Sequence, residues 1–216
     1  MNLVRSLTSL LPPRVYAAYK GSHDRNGTMT VGYGFNANWI GPEYAFGKTM
    51  GEYYAQNGGN EVLVLKVCWG GTAIETDWRP PSSGGTTGWG YGNFTKIVHE
   101  ALEKNLDKLV PGFSYSSDTV DFAGFGWHQG WNDGCSVKPV ADYETNLANL
   151  IADVRKEFKK PKLPVSIGIS GFGGWAQANT RRLGIMAAQY NVTQHADLGI
   201  GSVAAVETRG FFRSFA

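Results

Sequence analysis

The sequence is poor in the residues that anchor metal and redox chemistry. It holds two cysteines and four histidines, and no His or Cys pair stands at ligand spacing. Neither a metal site nor a cofactor is expected. The net charge is only +2 and no basic stripe interrupts the chain, which argues against nucleic acid as a partner. No stretch approaches the roughly 20 apolar residues of a membrane-spanning helix, so no membrane partner is expected. The N-terminus, MNLVRSLTSLLPP, has one arginine and a short apolar run. Its Ser, Thr and paired prolines, with no small-residue cleavage site, make a poor signal peptide, and the localisation stays open. Cys68 and Cys135 follow two different strands. A disulfide between them and two free thiols both fit that placement.

What is present suffices for one domain with a sizeable core: 216 residues, 13% of them aromatic. Many aromatics lie near glycines, which suits a flat ligand such as a carbohydrate and equally suits packing. Residues 1–40 read as an irregular segment rich in Gly and Asn, with a short strand near 29–33. Residues 41–216 read as an α/β domain. Gly41-Pro42-Glu43 opens a helix, with Pro in its first turn followed by an acid. The run VLVLKV at 62–67 predicts a strand buried on both faces. It empties into Trp69-Gly70-Gly71-Thr72 and a long loop containing RPPSSGG (79–85). Helical spacing recurs from Phe94 to about Leu109, at Tyr143, Leu147, Leu150, Ile151, Val154 and Phe158, and over 180–190. Strands are expected at 120–126, 164–170 and 202–206. This alternation calls for right-handed crossovers and a mainly parallel sheet, with ligands bound beyond the carboxyl ends of its strands.

The stretch FAGFGWHQGWNDG (122–134) organises the reading. An apolar strand stops at Trp127-His128-Gln129 and gives way to Gly, amide and carboxylate. Gly lets the backbone approach closely, and Gln129 or Asn132 can donate hydrogen bonds to developing negative charge. An ordinary turn would use the same residues. Two glycine-flanked loops past strand ends, at Gly70-Gly71 and at 129–133, could offer a backbone N–H and a side-chain amide to one oxyanion.

LKVCWGGTAI, DWRPPSSGG, FAGFGWHQGWNDG, YETNLANLIADVRKEF, LPVSIGISG and VAAVETRGFFR closely resemble, in the same order, the sialate O-acetylesterase-like carbohydrate esterases of the SGNH hydrolases. The resemblance runs from about Tyr16 to Arg213. It implies a three-layer α/β/α sandwich with a mainly parallel sheet of SGNH or flavodoxin-like type, and removal of acetyl or similar groups from an acylated carbohydrate. Gly71 would be the backbone oxyanion donor and Gln129 the side-chain donor. Trp69, Gly70, Arg79, Ser82, Ser83, His128, Trp131, Asn132 and Asp133 would line the substrate. Trp131 stands where many members carry Glu.

The family's serine nucleophile lies after the first strand in a Gly-Gln-Ser-Asn setting, and its His lies near the C-terminus. This sequence has no Gly-Gln-Ser-Asn and ends at Phe215-Ala216, so neither role maps onto a residue. The expectation is an incomplete esterase domain, or a non-catalytic glycan-binding relative that keeps the fold. Residues 1–40 would then cover the exposed strand edge, or a homo-oligomer would. Ser22-His23-Asp24 reads as a loop, because consecutive side chains do not easily converge. Phe172 spoils a Gly-x-Ser-x-Gly elbow at Ser170. His128 reads as structural or substrate-lining, and His99 and His195 as surface residues. Gly171–Ala176 matches a loose dinucleotide pattern, but its helix starts too late to meet a pyrophosphate.

Overall fold

The computed structural model describes residues 15–21, 24–58, 60–116 and 120–213. The leader reading on residues 1–13, Ser22 and His23 of the Ser-His-Asp run, and Phe215-Ala216 lie outside those residues. The chain forms two compact units. One comprises residues 1–70 with 96–120, the other residues 71–95 with 121–216.

In the first unit β1 (Val15–Gly21), β2 (Arg25–Thr28) and β3 (Val62–Cys68) form a sheet in the order β2-β1-β3. β1 and β3 run parallel along their whole length, from Val15 opposite Val62 to Gly21 opposite Cys68, while β2 is antiparallel to β1. The segment expected to be irregular therefore supplies two strands. β1 was hard to read because alanines occupy both faces. Val15, Ala17 and Tyr19 pack with Met29, Tyr33 and Tyr44, whereas Ala18 packs with Ala101, Leu106, Leu109 and Val110. The strand expected near 29–33 is a set of turns, in which the N–H groups of Gly32 and Gly34 both donate to the Trp39 carbonyl.

Strand β3 shows the same two-sided pattern: Val64 and Cys68 face one cluster, Leu63 and Leu65 the other. Every residue of β3 nevertheless keeps partial exposure, because the strand ends the β2-β1-β3 ladder. The lysine in its apolar run is accounted for. Lys66 Nζ donates to the Tyr33 carbonyl (2.6 Å), pairs with buried Glu43 (3.0 Å) and lies 4.7 Å from the Tyr19 ring centre. Glu43 sits in the first turn of α1 (Pro42–Gln56), and its carboxylate also accepts the Gly41 N–H at 2.8 Å. Helices α2 (Trp89–Glu103) and α3 (Leu106–Leu109) follow; the second half of α2 and all of α3 belong to this unit.

In the second unit β4 (Phe125–Trp127), β5 (Val165–Gly168) and β6 (Val203–Val206) make an all-parallel sheet in that order. β4 is shorter than the expected 120–126 because its ladder starts only where Val165 becomes available opposite Phe125. Helix α4 (Val137–Glu157) buries Tyr143, Leu147, Leu150, Ile151 and Val154, the stripe its spacing predicts. Lys159 (φ 54°), with Pro161 beyond it, closes the helix end. Near that end Arg155 is buried and clamps three partners. Its guanidinium donates to the carbonyls of Leu163 (2.8 Å) and Leu198 (2.5 Å) and to Ser202 Oγ (2.9 Å). Helix α5 (Thr180–Asn191) adds Ile185 and Met186 to the core.

Candidate active site

Within the second unit, the turn at 71–75 is stitched to the loop at 127–134 by two side chains. Asp133 is fully buried. Its carboxylate accepts the N–H of Ile74 (3.0 Å), the N–H of Glu75 (3.2 Å) and one Nε2–H of Gln129 (2.7 Å). The other Nε2–H of Gln129 goes to the Thr72 carbonyl at 2.8 Å. Two acceptors on that nitrogen settle which end of the carboxamide faces the turn. Burial pushes the Asp133 carboxyl above the usual carboxylate range, and hydrogen bonds from Gln129, Ile74 and Glu75 only partly offset it.

Gly71 is exposed and left-handed, with φ 71° and no atom within 4 Å of where a Cβ would stand. Among the described residues no acceptor takes its N–H. Gln129 differs from the sequence expectation, because neither of its amide protons is idle. Its carboxamide grips the carbonyl one residue beyond Gly71, so the two turns are neighbours.

A buried layer supports the loop from beneath. The Gln129 carbonyl accepts from the Tyr143 hydroxyl (2.7 Å) and from Gln189 Nε2 (2.6 Å). Tyr143 accepts from Trp127 Nε1 (3.1 Å), and Gln189 Oε1 accepts the Ser170 N–H (2.8 Å). Burial raises the Tyr143 hydroxyl far above its ordinary pKa, so it stays a donor. Gly130 is required on steric grounds. A Cβ there would come within 2.7 Å of Ser170 Oγ and 2.8 Å of Ile185. Tyr143, Ser170 and Gln189 were not assigned to the site from sequence. Tyr143 and Gln189 fall in helices, where core spacing hides a polar role.

The remaining expected residues divide sharply. Arg79 donates to Gly84 O (2.8 Å), Ser83 O (3.0 Å) and the Glu75 carboxylate (3.1 Å). Ser82 gives both its N–H (2.8 Å) and its hydroxyl (2.6 Å) to Asp153 of α4, and Ser83 Oγ accepts from Asn149 (3.1 Å). Asn146 of α4 donates to Glu75 at 3.0 Å. This loop is bolted to a helix. Trp131 is 51% exposed, and Asn132 is exposed beside it. His128 keeps solvent contact, yet its Nδ1 edge lies so close to Gly168 that a Cβ there would meet it at 2.4 Å. That packing desolvates the ring and lowers its pKa. Trp69 and Gly70 follow β3 in the first unit. Both cysteines are free thiols. His99 lies beside Glu103 on α2, and His195 pairs with Glu144 at 2.9 Å.

Among the described residues no group of three or more His, Cys, Asp or Glu side chains is placed to hold a metal ion, and no helix is long and apolar enough to cross a membrane. In a parallel α/β scaffold, loops past the strand ends are where ligands bind. The family profile described as carbohydrate esterase, sialic acid-specific acetylesterase, matches residues 21–211. The chain belongs to that family. An Arabidopsis thaliana protein of solved structure is similar in fold, with a TM-score of 0.61 at 17% identity over 92% of this chain and 70% of its own. A carbohydrate acetylesterase from Xanthomonas citri is similar as well. It gives a TM-score of 0.58 at 14% identity over 94% of this chain and 44% of its own, so this chain spans less than half its length. No curated protein sequence matches the chain.

Proposed function

We propose that this chain is a carbohydrate esterase that removes O-acetyl or similar acyl groups from a sugar, with Gly71 and Gln129 holding the oxyanion. The observation that carries this reading is the unspent Gly71 N–H, one residue from the carbonyl that Gln129 grips. Attack on an acyl carbonyl creates an alkoxide. Gly71 can donate to it at once, and Gln129 can exchange the neutral Thr72 carbonyl for the charged oxygen, a stronger acceptor. Asp133 keeps the second amide proton and so holds the carboxamide in orientation throughout.

The hydroxyls of Ser82, Ser83 and Ser170 are already engaged, those of Ser82 and Ser83 by helix α4 and that of Ser170 by buried Gln189. Hydrolysis of an activated acetate ester, combined with labelling by a serine-directed phosphonate, tests the reading. Turnover with one labelled serine is the expected result. Absence of both turnover and label overturns it. One observation favours a second reading, a glycan-binding domain without turnover: both Gln129 amide protons are satisfied within the protein. Sugar binding with no hydrolysis would select that alternative.

A further inference from the structure

We propose that the open edge of β6 is a self-association surface, on which a second copy of this chain pairs its own β6 in antiparallel register about a two-fold axis through Ala205. The esterase reading plays no part in it. β6 ends the β4-β5-β6 sheet. The Ser202 carbonyl accepts the Val165 N–H (2.9 Å) and the Val206 carbonyl accepts the Ile169 N–H (2.9 Å). In a regular parallel ladder, residues 202, 204 and 206 therefore turn their main-chain groups toward β5. Val203 and Ala205 turn theirs to the opposite side, where no strand follows and no hydrogen bond takes them among the described residues.

One face of the strand is open as well. Val203 belongs to the core and Ala205 is half-buried, but Ala204 is exposed and Val206 is 56% exposed. Strands of all-parallel sheets are ordinarily covered on both faces. The edges of the other sheet carry charge, a usual protection against strand pairing. β2 begins at Arg25, beside the Lys20–Asp24 ion pair, and β3 contains Lys66. From Leu198 to Val206 the chain has no charged residue and no proline.

The flanks of β6 select a second copy as the occupant. Asp197 lies on the N-terminal side with its side chain 80% exposed. Arg213 lies on the C-terminal side, exposed and bonded only to the main-chain carbonyls of Gly210 and Phe212. Exposed apolar side chains flank the strand in the same way, Ile200 before it and Phe211 after it. Antiparallel self-pairing brings the acidic flank of one copy to the basic flank of the other, and Ile200 toward Phe211. A parallel copy would set acid against acid. With the axis through Ala205, the two Ala205 residues exchange N–H···O bonds, and Val203 does the same with Glu207 of the other copy. Ala204 then stands against Val206 across the axis, so the exposed apolar face is buried by its own equivalent. Such an interface is isologous and closes as a dimer.

The experiment follows the mass of the full chain by analytical ultracentrifugation over a dilution series. The wild type is expected to be a dimer that dissociates on dilution. Ala205→Pro removes the central donor and spares the ladder to β5, because proline is tolerated where an edge N–H faces outward. It is expected to raise the dimer dissociation constant roughly 10- to 100-fold, the effect of about two hydrogen bonds. Asp197→Arg and Arg213→Asp should each raise it about 3- to 10-fold, and the double variant should return it toward the wild-type value. Thermal midpoints establish that each variant is folded, and the charge reversals decide if the proline variant does not fold. A wild type that is monomeric at every concentration overturns the proposal. So does a dimer indifferent to both Ala205→Pro and the charge reversals.

Discussion

The loops at 79–85 and 127–134 are built from similar stock: glycines, small polar residues and one charged group each. They use their hydrogen-bonding capacity in opposite ways. The first gives nearly all of it to its own scaffold, Arg79 to three carbonyls and Glu75, Ser82 to Asp153, Ser83 to Asn149. The second is braced from behind through main-chain atoms and Asp133, and it leaves Trp131 facing outward. The Gly71 turn stitched to it leaves an N–H that no acceptor takes among the described residues. A loop's chemistry is therefore told by which of its donors are already spent, and composition alone does not separate the two cases.

The comparison can be strained at several points. Asp133→Ala strands one buried donor and two part-buried ones at once and should cost about 3 kcal/mol in urea unfolding, the sum expected for such unsatisfied groups. A loss below about 1 kcal/mol would mean that the two turns are not held together by this carboxylate. Gln129→Ala should lower turnover of an acetyl ester by about 10²–10³, the usual effect of removing an oxyanion donor. A variant as fast as wild type would demote Gln129 to a brace like Arg79. Ser82→Ala removes one hydroxyl but leaves the backbone bond to Asp153. It should cost about 1 kcal/mol of stability with kcat/KM unchanged, which a paired unfolding and rate measurement checks.

The smallest effect concerns pH. The Arg209 fork, offset in part by burial, holds the Glu207 carboxyl below its ordinary range. A depressed folded pKa gives stability that is present above the unfolded value and disappears as pH falls through the folded one. Unfolding curves of wild type and Glu207→Gln should thus differ at neutral pH and converge below about pH 4. Asp133, raised by burial, has the opposite sign: its contribution is full in acid and is lost as pH climbs through its elevated value.

Much of this was legible beforehand. The helical stripe of α4 and the apolar run of β3 announced themselves by period, and the loops after β3 and β4 by glycine following an apolar run. Strand β1 was not, because Ala17 and Ala18 serve two different cores and give no alternation to read. The inward role of Asp133 was hidden for a related reason. An Asn-Asp-Gly turn looks solvent-facing, and only the N–H groups of Ile74 and Glu75, some sixty positions earlier, show that this carboxylate points inside.

Helix α4 carries Tyr143 under the Gln129 loop, Asn146, Asn149 and Asp153 along the 75–83 segment, and Arg155 at the entries to β5 and β6. One rod thereby indexes two loops and the entries to two strands of this unit. A single-residue insertion near Ala148 would turn one half against the other by about 100°. The loops at 79–85 and 127–134 would then lose their common reference together, so descendants of this chain can exchange side chains along the rod far more readily than they can change its length.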